Sequence, residues 1–238
     1  CLKQSRAAGK IVIASCGTVT TNDFDDLTEI AKLCREYDAW LHVDAAFGLF
    51  VRLLEDKKHL AAGIELADSI TSDAHKWLNV PYDCGLFFCR HIQELEDSLR
   101  VSAPYLEVSS DSPVFMNRGI ENSRRFRALP VWFAMNAYGK QGHTEIVKEN
   151  CTCATILADW VAASSDYELM VCCTLNTVLF RRRFDGDLDK QNLQNRMLLK
   201  RINETGEVFL TPGMWQGKFG FRAALSNWKI TQQDVIQV

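Results

Sequence analysis

Two short apolar runs each end in a cluster of chemically active side chains, and that pairing constrains the fold more than any other feature. They are Leu41-His42-Val43-Asp44-Ala45-Ala46-Phe47-Gly48 and Ser72-Asp73-Ala74-His75-Lys76-Trp77-Leu78-Asn79. In an open α/β sheet, ligands bind outside the carboxyl ends of the strands. A helix between the two segments would return the chain to a parallel neighbouring strand and bring Asp44 and Lys76 to one rim.

The rest of the first half supports this reading. Residues 11–15 are β-branched and stop at the turn-like Cys16-Gly17-Thr18. Asn22 and Asp23 offer helix caps ahead of Leu27, Ile30, Ala31 and Cys34, whose i, i+3, i+4, i+7 spacing predicts an amphipathic helix. Further strands are expected at 40–45, 68–72 and 85–89, with helices at 57–63 and 91–99. Short apolar runs alternating with helical patterns indicate an α/β fold with a largely parallel sheet.

The second half has a different texture. Residues 104–118 hold two prolines and several serines without periodicity and read as a loop. Helices are expected at 121–138, kinked or restarted at Pro130, and at 144–163. Strands follow at 168–173 and 177–181, a helix at 189–203, and strands at 208–211 and 219–225. We expect two domains: residues 1–145, part of a larger sheet domain with its linker helix, and residues 146–238, a small α+β domain.

Composition narrows the partners. The 238 residues carry 27 Lys and Arg against 30 Asp and Glu, a net charge of −3, and neither sign forms a long run. That argues against nucleic acid or an anionic membrane as partner and favours a small molecule or another protein chain. No stretch approaches the roughly 18 apolar residues of a spanning helix. The nine cysteines are odd in number and lack metal-ligand spacing, as expected of reduced thiols in a cytoplasmic protein. The chain starts at Cys1 and runs almost at once into a strand-like segment, so it reads as part of a longer functional unit.

The segments WLHVDAAFG, ADSITSDAHKWLNVPYDCGLFF and ASCGTVTTNDFDDL resemble the group II pyridoxal-phosphate-dependent amino acid decarboxylases, which include the glutamate and aromatic amino acid enzymes. The likeness continues through NSRRFRALPVWFAMNAYG to FGFRAALSNW, essentially the whole chain. It implies fold type I, in which a large mostly parallel sheet domain is joined to a small C-terminal domain. It also implies pyridoxal 5'-phosphate as cofactor, an L-amino acid as substrate and a homodimer as the working unit.

By the same resemblance Lys76 is the lysine whose amine bonds the cofactor aldehyde, chemistry that a primary amine alone among side chains supplies well. Asp44 matches the partner of the pyridine nitrogen, where a carboxylate keeps that nitrogen protonated and the ring electron-accepting. Ala46 matches the small residue against the cofactor ring. Thr18 matches a residue near the ring substituents, and His75 one close to the phosphate. Asp73 stands where some relatives carry a phosphate-holding asparagine, and a carboxylate there needs its own hydrogen bonds or a cation to tolerate a dianion. Tyr105 matches the loop tyrosine that protonates the carbon left by carbon dioxide. Relatives with phenylalanine there tend towards aldehyde synthesis, so Tyr105 favours a decarboxylase. Arg222 matches an arginine near the substrate carboxylate, with a structural ion pair as the alternative.

Two rival classes stand beside this reading. His42, Asp44, Asp73 and His75 form His-x-Asp and Asp-x-His pairs that suit a metal-dependent hydrolase, although such a ligand set gives no reason for a lysine next to His75. The other rival is a non-catalytic piece, because the resemblance places the ring-stacking histidine and much of the phosphate cradle upstream of Cys1. An aldehyde synthase or another fold-type-I enzyme is the alternative within the family itself.

Overall fold

A computed structural model gives the architecture and describes residues 1–101 and 115–237. Among them the first sheet has four strands, β1 (Ile11–Ser15), β2 (Trp40–Asp44), β3 (Ser69–Asp73) and β4 (Gly85–Cys89), in that spatial order. β1 pairs with β2 and β2 with β3 in parallel, while β4 closes antiparallel on β3. Helix α1 (Leu27–Glu36) crosses between β1 and β2 and buries Leu27, Ala31 and Cys34, the predicted stripe. Its cap is Asp26, whose side chain accepts from Glu29 N–H at 3.1 Å, and not Asn22 or Asp23, which are used in the preceding turn. α2 (Ile92–Ser98) follows β4.

Strand alternation divides the first sheet into two faces. Leu41 and Val43 point into the core with Ala14, Trp77 and Ile64. By register, Ile11, Ile13 and Ser15 share the opposite face with Trp40, His42 and Asp44, then Ser69, Thr71 and Asp73. On that face Ile11 and Ile13 are exposed.

The expected kink at Pro130 is corrected. The long helix α3 (Ala128–Ala163) begins beyond residue 121, and Pro130 falls in its first turn, where a missing N–H costs no helical hydrogen bond. The interruption lies at Gly139, with φ 59° and ψ −171°. α3 serves both cores, presenting Val147 and Cys151 to the first and Cys153, Ala154 and Val161 to the second.

The second sheet is antiparallel, ordered β5 (Tyr167–Leu169), β6 (Thr177–Arg182), β8 (Lys218–Ala224), β7 (Thr211–Trp215). β7 replaces the strand expected at 208–211, and β5 is shorter than the one expected at 168–173. Helix α4 (Leu188–Thr205) starts at an Asp187 cap, ends at left-handed Gly206 and contributes Leu199 to the core with Val178, Phe180 and Phe221. α5 (Gln232–Gln237) completes the described chain. Among the described residues no helix is long and apolar enough to cross a membrane.

Candidate active site

Because Ser15, Asp44 and Asp73 end three neighbouring strands on one face, with Thr71 level with Asp44, the carboxyl edge of the first sheet is polar. A cavity of about 520 Å³ opens there, lined by these four residues together with Thr18, Ala46 and Lys76. The sheet thus brings Asp44 and Lys76 into one cavity.

Lys76 follows β3 in a tight turn. Its Nζ lies 2.8 Å from Asp73 Oδ2 and 4.3 Å from the centroid of the Phe47 ring, so an anion and an aromatic face hold the amine between them. Next to it Trp77 is fully buried, edge-on to Phe47 and Phe50 at 5.5 and 5.9 Å. The turn therefore has a fixed apolar root beneath an accessible amine. Asp44 Oδ1 accepts from Ala46 N–H at 3.2 Å, and among the described residues its other carboxylate oxygen takes no hydrogen bond. That leaves an acceptor available to a ligand.

The opposite wall is the turn after β1. Gly17 has φ 86°, and a Cβ on Gly48 would stand 1.9 Å from the Cys16 carbonyl oxygen, so the β1 and β2 ends approach as closely as backbones allow. Thr18 Oγ1 accepts from Asp23 N–H at 2.9 Å and shares a 2.8 Å bond with Thr21 Oγ1. Below them Cys16 is fully buried, and burial pushes its thiol up to about 12, leaving it inert as a nucleophile.

Three expected residues stand just outside the lining. His75 Nδ1 accepts from the Cys84 backbone N–H at 3.1 Å, its ring packs on Tyr82 at 4.5 Å, and its Nε2 lies 3.8 Å from Asp73 Oδ2. His42 bonds Ser69 Oγ at 2.8 Å and Thr71 Oγ1 at 3.3 Å below the rim. Among the described residues no three of His, Cys, Asp and Glu gather as metal ligands. Arg222 Nε donates to the Val19 carbonyl and Nη1 to Thr211 Oγ1 at 3.3 Å. Tyr105 lies outside the described residues. Arg124, Arg125 and Arg127, close together in the sequence, find local partners: Arg124 donates to the Phe115 carbonyl, Arg125 pairs with Asp83, and Arg127 pairs with Asp83 and Glu121.

Sequence reasoning missed Phe47, Asn22 and Asn79. Phe47 reads as core packing, and nothing in its spacing announces the lysine above it. The two asparagines sit at φ 54° and 52°, a left-handed backbone that asparagine tolerates better than most residues. Both bond to the second half of the chain, which no local pattern reveals.

Comparison with known proteins adds independent findings. The family model described as the pyridoxal-dependent decarboxylase conserved domain matches residues 2–183. An aromatic-L-amino-acid decarboxylase of Bacillus atrophaeus is 32% identical over 247 residues, covering 100% of this chain and 51% of the relative. The Oryza sativa TDC solved with PLP and tryptamine matches with TM-score 0.88 and 26% identity, over 95% of this chain and 48% of that one. The 4-hydroxyphenylacetaldehyde synthase of Rhodiola rosea matches with TM-score 0.83 and 26% identity, over 96% and 47%. The chain spans about half the length of the curated relatives it matches first.

Proposed function

The chain belongs to the pyridoxal-dependent decarboxylase family, and from that premise we propose that the protein carrying it decarboxylates an L-amino acid to an amine and carbon dioxide. The observation that carries the proposal is the placement of Lys76 and Asp44 in one cavity at the carboxyl edge of the parallel strands β1 to β3.

The donor set fits pyridoxal phosphate. One accessible amine, one carboxylate oxygen open to a partner, a small residue between them and hydroxyls on two walls match an aldehyde, a ring nitrogen, a flat ring and polar substituents. When bound, that group supplies an aldehyde that takes amines and a ring that accepts the electron pair of a breaking bond. Lys76 Nζ would hold the group through its aldehyde and, as a free amine, would carry a proton. Asp44 holds a proton on the ring nitrogen through its open oxygen. Ala46 leaves room for the ring face, where a larger side chain would lift it. Thr18 orients the ring substituents by a hydroxyl that its own turn has fixed in place. Asp73 and His75 would face the phosphate, and His75 Nε2, 3.8 Å from Asp73 Oδ2, would stay beside that carboxylate once the Lys76 amine is committed to the aldehyde. Tyr105 returns a proton to the substrate carbon and so directs the outcome to an amine and not an aldehyde.

Residues 1–145 and 146–238 act as the two domains, and the protein works as a homodimer in the cytoplasm. The nine free cysteines support a reducing compartment. The test is a panel of L-amino acids incubated with the protein and pyridoxal phosphate, with carbon dioxide, amine and aldehyde all measured. Amine equal to carbon dioxide supports the proposal. Aldehyde in its place identifies an aldehyde synthase, and no carbon dioxide from any amino acid overturns the decarboxylase reading.

A further inference from the structure

The two turns that wall the cavity are irregular backbone, and each is tied to the C-terminal half by an asparagine. Asn22 is completely buried. Its Oδ1 accepts the Thr177 backbone N–H at 2.9 Å, its carbonyl accepts Thr174 Oγ1 at 3.0 Å, and its Nδ2 donates to the Thr18 carbonyl at 3.1 Å. Asn79 repeats the arrangement after Lys76: Oδ1 accepts the Trp228 N–H at 3.1 Å while Nδ2 donates to the Trp77 carbonyl at 2.9 Å. In both cases one amide group grips the turn and the other grips the C-terminal half. Arg222 adds a third tie through the Val19 carbonyl on the cavity wall.

Two turns on separate strands have no covalent reason to keep a fixed spacing. A common external support supplies one, because Asn22 bonds to β6 and Asn79 to the turn that follows β8, and β6 pairs directly with β8. We propose that Asn22 and Asn79 are positioning residues through which residues 174–228 set the distance between the Thr18 wall and the Lys76 wall. On this account the C-terminal unit is a clamp on the cofactor cavity, and Arg222 belongs to the clamp. The inference rests on the pyridoxal phosphate reading for its consequence, though the clamp itself needs no cofactor.

The test uses Asn22→Gly and Asn79→Gly in the whole protein. Glycine accommodates the left-handed backbone and removes the amide grip, and Thr174→Val, which leaves the turn's own sequence intact, separates that loss from glycine's added backbone freedom. In cofactor-free protein, amide hydrogen exchange should rise at residues 17–21 in the first variant and at residues 75–79 in the second, with the strands of both sheets still protected. Pyridoxal phosphate should bind on the order of tenfold more weakly, as the loss of about one net hydrogen bond predicts. Its induced circular dichroism should also change, since that signal reports how the ring is held. Unchanged exchange in both turns overturns the clamp. Raised exchange with unchanged affinity and dichroism overturns its role in positioning. A wild-type protein that takes up no cofactor while the exchange pattern appears as expected overturns the cofactor reading and leaves the clamp standing. Should either variant lose its strand protection, Thr174→Val removes one tie from the far side and must raise exchange at residues 17–21, or the clamp fails.

Discussion

Trp77 donates its indole N–H to Asn150 Oδ1 at 2.9 Å, joining the residue beside Lys76 to the middle of α3. Asn150 in turn donates from Nδ2 to the Asn227 carbonyl at 3.0 Å. One buried amide thereby links the Lys76 turn, the long helix and the segment after β8. Asn150→Ala leaves a buried indole donor unpaired, and such a group costs about 1–3 kcal/mol. The expected result is that much lost stability in urea, and in a double-mutant cycle with Trp77→Phe, which removes the donor, the double variant should lose less than the two single losses added together.

Gly48 sets how closely the β1 and β2 ends approach. Alanine there would drive its Cβ into the Cys16 carbonyl, a backbone atom that cannot swing aside. Gly48→Ala should cost at least the about 1–3 kcal/mol typical of overpacking, read as a lowered Tm, whereas alanine at the exposed and uncrowded Gly9 should leave Tm unchanged.

His143 is buried at the start of the α3 segment beyond the Gly139 break, its ring packed against Tyr138. Burial holds its imidazole below the ordinary histidine range. The unfolded chain therefore takes the proton first as pH falls. The stability this group supports is complete above the unfolded pKa of about 6.5 and is lost as pH falls towards the lower folded value. Stability measured from pH 7.5 to 5 should decline in the native protein, and His143→Phe should make that decline shallower. An identical slope in the two proteins contradicts the assignment.

Much of the site was legible in the sequence because a strand has a period of two and ends where its polar residues gather. The strand ends take Asp44 and Lys76 to one rim without any knowledge of tertiary structure, the apolar runs yield β1 and β4, and the i, i+3, i+4, i+7 spacing yields the buried stripe of α1. What was not legible depends on distance along the chain or on competing roles for one residue type. Pro130 has the look of a kink but sits where a helix lacks that hydrogen bond anyway, while the real break is at Gly139. Asn22 has the look of a helix cap, yet its side chain bonds Thr177, 155 positions away. Phe47 is an ordinary apolar residue until the fold lays Lys76 over its ring.

Asp44 separates binding from chemistry. Asp44→Asn retains an acceptor and nearly the same volume but removes the charge that keeps a ring nitrogen protonated. Pyridoxal phosphate should still bind, with its visible spectrum altered. Carbon dioxide release should fall on the order of a hundredfold or more, the scale seen when one preorganised electrostatic group is lost. Full activity in Asp44→Asn would remove Asp44 from the mechanism.

On the proposed function, Lys76 is the residue that bonds the cofactor. Incubating the protein with pyridoxal phosphate, reducing with borohydride and mapping the modified peptide tests it most directly. The account predicts one reduced cofactor per chain on Lys76 and none on Lys76→Ala. An adduct of equal yield in Lys76→Ala, or one mapped to another lysine in the native protein, would contradict it.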